Sequence, residues 1–258
     1  MVKPDPGAVN FAASGDRVIS HAKPCGRQVH PRSPSPPVEQ HTMRRTLISL
    51  LIALSVSGAA LADDDISKVN GTAQVEAGQH AGDVHTVNGS VRIGDNAVVQ
   101  KASTVNGAVE LGKSATATIV KTVNGGVTVH ENARVSDEVE TVNGRVLLER
   151  GADVKGHLSN VNGEISLEGA HVGGGIETTN ADVTIGEGSK VEGGLLVKKP
   201  SMSFFSSNDR IPKIVIGPHA VVQGTLSFQR DVELYVSDSA TVGKIEGATA
   251  KKFSGSAP

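Results

Sequence analysis

A short peptide returns through this chain at a nearly fixed interval, and that interval limits the possible folds more than any other feature. The Val-Asn-Gly core stands at Val69-Asn70-Gly71, Val87-Asn88-Gly89, Val105-Asn106-Gly107, Val123-Asn124-Gly125, Val142-Asn143-Gly144 and Val161-Asn162-Gly163, with a degenerate copy at Thr179-Asn180-Ala181. Successive asparagines lie 18, 18, 18, 19, 19 and 18 residues apart. A unit this small cannot enclose a core alone and must stack on its neighbours, so the period predicts a solenoid.

The content of each unit says what kind. In residues 105–122 apolar residues alternate with polar ones at Val109 and Leu111, at Ala115 and Ala117, and near Ile119 and Val105. Equivalents are Val91, Ile93, Ala97 and Val99; Val127, Val129, Ala133, Val135 and Val139; Val146, Leu148, Ala152, Val154 and Leu158. Alternation turns one side of a strand inward. Three such segments per period predict an all-β, single-stranded parallel β-helix with three short strands per 18–19-residue coil. Stacked at about 4.8 Å, eight or nine coils make a rod of roughly 40 Å.

Asn-Gly reads as the corner of each coil, formed by Asn70, Gly71, Asn88, Gly89, Asn106, Gly107, Asn124, Gly125, Asn143, Gly144, Asn162, Gly163 and Asn180, because both residues accept sharp turns. The same dipeptide also signals antiparallel hairpins, but three segments between regularly spaced turns favour a coil. The repeated valine is expected to wall the core. Thr86, Thr104, Thr122 and Thr141 and the asparagines are then expected outside as a polar ladder, with the asparagines placed to hydrogen-bond to one another. The 19-residue periods favour a right-handed coil, although residues 216–224 read like the hexapeptide pattern of left-handed ones.

Residues 63–200 contain no aromatic residue, although aromatics bury the most area per residue. Their absence suits a narrow interior of Val, Ile, Leu and Ala, and removes the stacking platforms of single-strand nucleic-acid binders. Cys25 is the only cysteine, which excludes disulfides within the chain and Cys-based metal sites.

Residues 1–42 hold seven of the eleven prolines and no apolar period, the composition of a disordered segment. Met43-Arg44-Arg45, an apolar run from 47 to 54 and small residues to Ala60-Leu61-Ala62 read as a secretory signal cleaved between Ala62 and Asp63. Met43 is accordingly expected to be the true start, with residues 1–42 a misassigned upstream extension. Removing residues 1–62, which hold seven Lys/Arg and three Asp/Glu, takes the formal charge from −2 to −6, which argues against nucleic acid.

Repeats are expected over residues 63–200, an inserted loop over 201–212, final coils over 213–247 and a disordered tail over 248–258. The loop carries Phe204 and Phe205, read first as cover over apolar surface and second as a contact for a partner. Phe228 and Tyr235 suggest that the last coils are wider or partly capped. His80, His85, His130, His157, His171 and His219 fall at different repeat positions, so no metal-ligand ladder is expected. No catalytic constellation, cofactor or metal site is read, and the chain is expected not to be an enzyme. Asn70-Gly71-Thr72 and Asn88-Gly89-Ser90 match a glycosylation acceptor but are explained by the corner.

The recurring T-V-N-G-x-V strands resemble exported adhesin-type β-repeat proteins of bacteria. Residues 216–224, I-G-P-H-A-V-V-Q-G, resemble the coils of bactofilins, the polymer-forming cytoskeletal family. The two likenesses together imply an exported structural protein that self-associates or supports the envelope, as a homo-oligomer or polymer through its end rungs, whose open edges can pair. Periplasmic, outer-membrane-associated and extracellular locations all fit, with no membrane-spanning segment in the mature chain. A binding module using one face of the solenoid is the alternative. Ice binding by a threonine ladder and a hexapeptide-type acyltransferase are remote ones.

Overall fold

The computed structural model describes residues 64–200 and 210–258. The expected upstream extension, the signal with its cleavage point at Ala62 and Asp63, and the loop residues Phe204 and Phe205 lie outside them.

The described chain forms 23 short strands, and every pairing between them is parallel, in register with the next coil. Three faces result. The first stacks Ala73, Val91, Val109, Val127, Val146, Ile165, Val183, Ile214 and Leu234. A second stacks Ala81, Val99, Ala117, Val135, Val154, Val172, Val191, Val222 and Val242. The third runs from Ile66 through Val84, Ala102, Val120, Val139, Leu158, Ile176, Leu195 and Leu226 to Ile245. The chain is therefore an all-β parallel β-solenoid. Ten levels on the third face span about 43 Å at about 4.8 Å per level.

These columns are the core, and nearly all their members are fully buried. Each buried Val or Leu contributes about 1.5–3 kcal/mol of apolar transfer, and no side chain larger than leucine or isoleucine enters until Phe228.

The third face is one residue out of phase with the expected alternation. In place of Ile119 and Val105, Val120 and Thr122 face inside and are buried, while Ile119 and Val105 are only partly covered. The cause is parity. Only two residues separate the inward Ala117 and Val120, so this corner shifts the alternation by one. It follows that the repeated valine faces outward: Val69, Val123 and Val161 are 67%, 40% and 37% exposed. Thr86, Thr104, Thr122 and Thr141, expected outside, are buried.

A second corner lies between the first and second faces. Its tight turn is closed by bonds such as Ala97 N–H to Gly94 O and Ala115 N–H to Gly112 O. In eight successive coils one residue there adopts the left-handed conformation: Gly78, Asn96, Ser114, Asn132, Gly151, Gly169, Gly188 and His219. The 19-residue coils begin at the third corner, where pairing slips between Ala117/Val135 and Ile119/Glu138.

Residues 248–258 were expected to be disordered. Lys251–Phe253 is instead a strand, paired with Tyr235, Val236 and Ser237. It is an edge strand with little apolar content, so periodicity does not reveal it.

Candidate functional site

Asn70, Asn88, Asn106, Asn124, Asn143, Asn162 and Asn180 stand one above another at the corner between the third and first faces. Each side-chain amide donates to the Oδ1 of the asparagine one coil earlier, at 3.2, 3.0, 3.0, 3.0, 2.9 and 2.9 Å in chain order. The expected asparagine ladder is present. At its far end the Arg230 guanidinium donates to Asn180 Oδ1, to Thr179 O at 3.2 Å and to Arg210 O at 3.0 Å. It fastens the last repeat to the final coils across 50 residues of chain.

The glycine after each asparagine is required chiefly by crowding. A Cβ on Gly89, Gly107, Gly125, Gly144 or Gly163 would lie between 1.8 and 2.1 Å from the carbonyl oxygen of the equivalent glycine one coil earlier. Those carbonyls are satisfied from inside. Thr86, Thr104, Thr122 and Thr141 hydroxyls donate to Gly71, Gly89, Gly107 and Gly125 O at 2.8–3.0 Å. Asn160 does the same for Gly144 with its amide, at 3.0 Å. A buried carbonyl left without a donor would cost about 1–3 kcal/mol, so the threonine of T-V-N-G completes the corner from within. Ice binding by a threonine face is overturned by this burial.

Where Ala181 replaces the glycine, Thr178 turns its hydroxyl to accept from Ala181 N–H at 3.1 Å. In the following coils the same inward position is held by Val197 and Phe228. The corner chemistry and the ladder stop together.

The outer surface is tied by pairs one coil apart. Arg92 meets Glu110 at 3.2 Å, Lys113 meets Glu131 at 3.0 Å, and Lys121 lies between Glu138 and Glu140. The Lys113 hydrogen bond holds Glu131 below the usual carboxylate range, and Glu138 and Glu140 hold the Lys121 ammonium above the usual lysine range. Exposed pairs of this kind are individually worth little.

The histidines are less isolated than their repeat positions suggest. His171 Nδ1 lies 2.6 Å from Asp153 Oδ1, and its Nε2 faces Glu192 Oε1 at 3.4 Å without a well-formed hydrogen bond. His130 lies 3.1 Å from Glu149, and His85 3.2 Å from Ser103. Among the described residues no group of three His, Cys, Asp or Glu side chains converges to hold a metal. Each of these three histidines pairs a partner about one coil away, which ties neighbouring coils together. Tyr235, expected to mark a wider coil, lies on the outer surface between the ammonium groups of Lys213 and Lys251, 5.1 and 5.2 Å from its ring centre.

Three long faces, an asparagine ladder and an outward valine row define a parallel β-solenoid repeat protein. Among the described residues no helix is long and apolar enough to cross a membrane. No family model, curated protein or solved structure matches the chain.

Proposed function

We propose that this chain is an exported bacterial structural protein, a stiff solenoid that supports the envelope and associates side by side through its long faces. The observation that carries this reading is the continuous parallel stack, reinforced from Asn70 to Asn180 by side-chain bonds between all neighbouring levels. Each coil contacts only its neighbours, and such a stack holds its length. The signal-like segment over residues 43–62 and the likeness to adhesin-type repeats support export. Fractionation of native cells into cytoplasm, periplasm, outer membrane and medium tests it: recovery with envelope fractions is expected, and recovery from the cytoplasm alone would defeat it.

An adhesin-like binding module is the second reading, favoured by the outward row of Val69, Val123 and Val161 beside the asparagines. A row of this kind offers apolar contact flanked by amides. Pull-down against envelope fractions, repeated with Val123→Ser and Val161→Ser together, separates the readings. A binding module loses its captured partner, whereas a scaffold held through other faces keeps its fractionation.

A further inference from the structure

We propose that the two ends of the solenoid are built to refuse a second copy, and that Lys68 and Lys252 are the residues that do so. The inference rests on strand register alone and stands whether or not the scaffold role holds.

A parallel solenoid has a built-in route to growth. Its terminal coils present open strand edges, and head-to-tail stacking of identical units gives an open filament. What the end coils place in the core columns decides whether that route is usable. In the first coil Lys68 is in register with Thr86, a buried inward position. Its ammonium donates to the Thr72 carbonyl at 2.6 Å. In the last coil Lys252 is in register with Val236, also buried and inward. Between them the corresponding positions hold Thr, Asn, Val, Ile, Leu or Phe. Among the described residues lysine enters a core column only in the first and last coils, where its ammonium still reaches water.

Stacking a second copy would enclose the Lys252 ammonium in an aliphatic column and the Lys68 ammonium against the row of inner threonines, with no carboxylate in either column to meet it. The penalty is several kcal/mol per ion. Topology adds to it. The paired strands begin on the third face with Ile66–Asn70 and end on the first with Lys251–Phe253. A head-to-tail copy continuing the third and first faces would leave the second one strand short. Side-by-side association leaves both ends in water and meets neither obstacle.

The test uses protein produced from the full-length chain, as wild type, Lys68→Thr, Lys252→Val and the double variant. Each substitution installs the residue its own column uses. Light scattering over a concentration series and negative-stain microscopy read the association, with far-UV circular dichroism to check the fold. Wild type is expected to show no particles longer than one solenoid. The double variant is expected to associate end to end at least about a hundredfold more tightly, since two buried unpaired charges are removed from each contact. Every head-to-tail contact joins a Lys252 end to a Lys68 end, so each single variant removes one of two charges and is expected to show part of the gain; should the double variant misfold, a gain in either folded single variant supports the proposal and none in both overturns it. Wild-type filaments continuing the strand stack would overturn the proposal. So would folded variants that associate no better than wild type.

Discussion

Exchanging Thr122 for valine tests which side of the repeat faces the core. The two side chains have nearly the same shape, so the change removes a hydroxyl and leaves the volume filled. Thr122 is 3% exposed, and its hydroxyl donates to Gly107 O at 3.0 Å. That carbonyl is wedged against Gly125 of the next coil, and in the variant it faces a methyl group. A stranded buried acceptor costs about 1–3 kcal/mol, and the added methyl returns at most about 0.8 kcal/mol. The net expectation is a loss of about 1–2 kcal/mol. Val123→Thr is the companion change, at a position 40% exposed. Threonine suits a strand, and a surface exchange of this kind is expected to stay within about 0.5 kcal/mol. Urea unfolding followed by circular dichroism reads both from the midpoint, provided the slope is unchanged. The ranking is decisive. If Thr122→Val left the midpoint alone while Val123→Thr lowered stability by about 1 kcal/mol or more, the valine would face inward and the corner described above would be refuted.

Gly125→Ala would set a Cβ 1.8 Å from Gly107 O and is expected to cost about 3 kcal/mol or more, whereas Gly188→Ala meets nothing within 4 Å and should cost only the left-handed strain of about 1–2 kcal/mol; comparable urea midpoints for the two would contradict the crowding argument. Lys113 and Lys190 hold Glu131 and Glu192 low, so these carboxylates stabilise the fold above the ordinary glutamate range and lose that contribution as pH falls through their lowered folded values. Glu131, Glu138 with Glu140, and Glu246 hold Lys113, Lys121 and Lys244 high, and that contribution is complete below the ordinary lysine range and fades as pH rises through the raised folded values. Melting temperatures should therefore form a broad plateau from mildly acid to mildly alkaline pH, with shoulders that salt flattens; a narrow maximum near neutrality would count against it. The amides of Gly71, Gly89, Gly107 and Gly125 donate to the asparagine carbonyl of the next coil at 2.9–3.0 Å, which keeps the glycine nitrogen from attacking the preceding asparagine side chain and expelling ammonia. Peptide mapping after mildly alkaline incubation should find these asparagines intact in folded protein and deamidated in urea; equal rates would show that the corner gives no protection.

The fold was legible because its period is written in Asn-Gly and its first two columns in strict alternation. Val109, Leu111, Ala115 and Ala117 are where their spacing placed them. The third column was misread because a two-residue corner resets parity, and Ile119 looks as suitable for a core as Val120 does. Threonine looked external because its hydroxyl partner, a glycine carbonyl 15 residues back, exists only once coils are stacked. The left-handed position of the second corner is taken by Ser114 and His219 in two coils, so no single residue type announces it. Arg230 lies 50 residues from Asn180, beyond a stretch of sequence that breaks the period, and nothing local marks it. The Asp153–His171 pair was within reach, since its 18-residue separation equals one coil. Repeat position alone conceals it, because the two partners occupy the same position in successive coils and only one of them is a histidine.

The direction of the asparagine bonds gives the solenoid a property that its sheets lack. Peptide groups along a strand point alternately up and down the stack, so their dipoles nearly cancel. The asparagine amides do not alternate: each donates toward the start of the chain, and the inner threonine hydroxyls do the same. Partial positive charge therefore accumulates toward Asn70 and partial negative charge toward Asn180, where Arg230 supplies a cation as a basic residue does at the end of a helix. A molecule that looks repetitive along its length is electrically asymmetric from end to end, and two copies lying side by side are drawn together more strongly when they point in opposite directions.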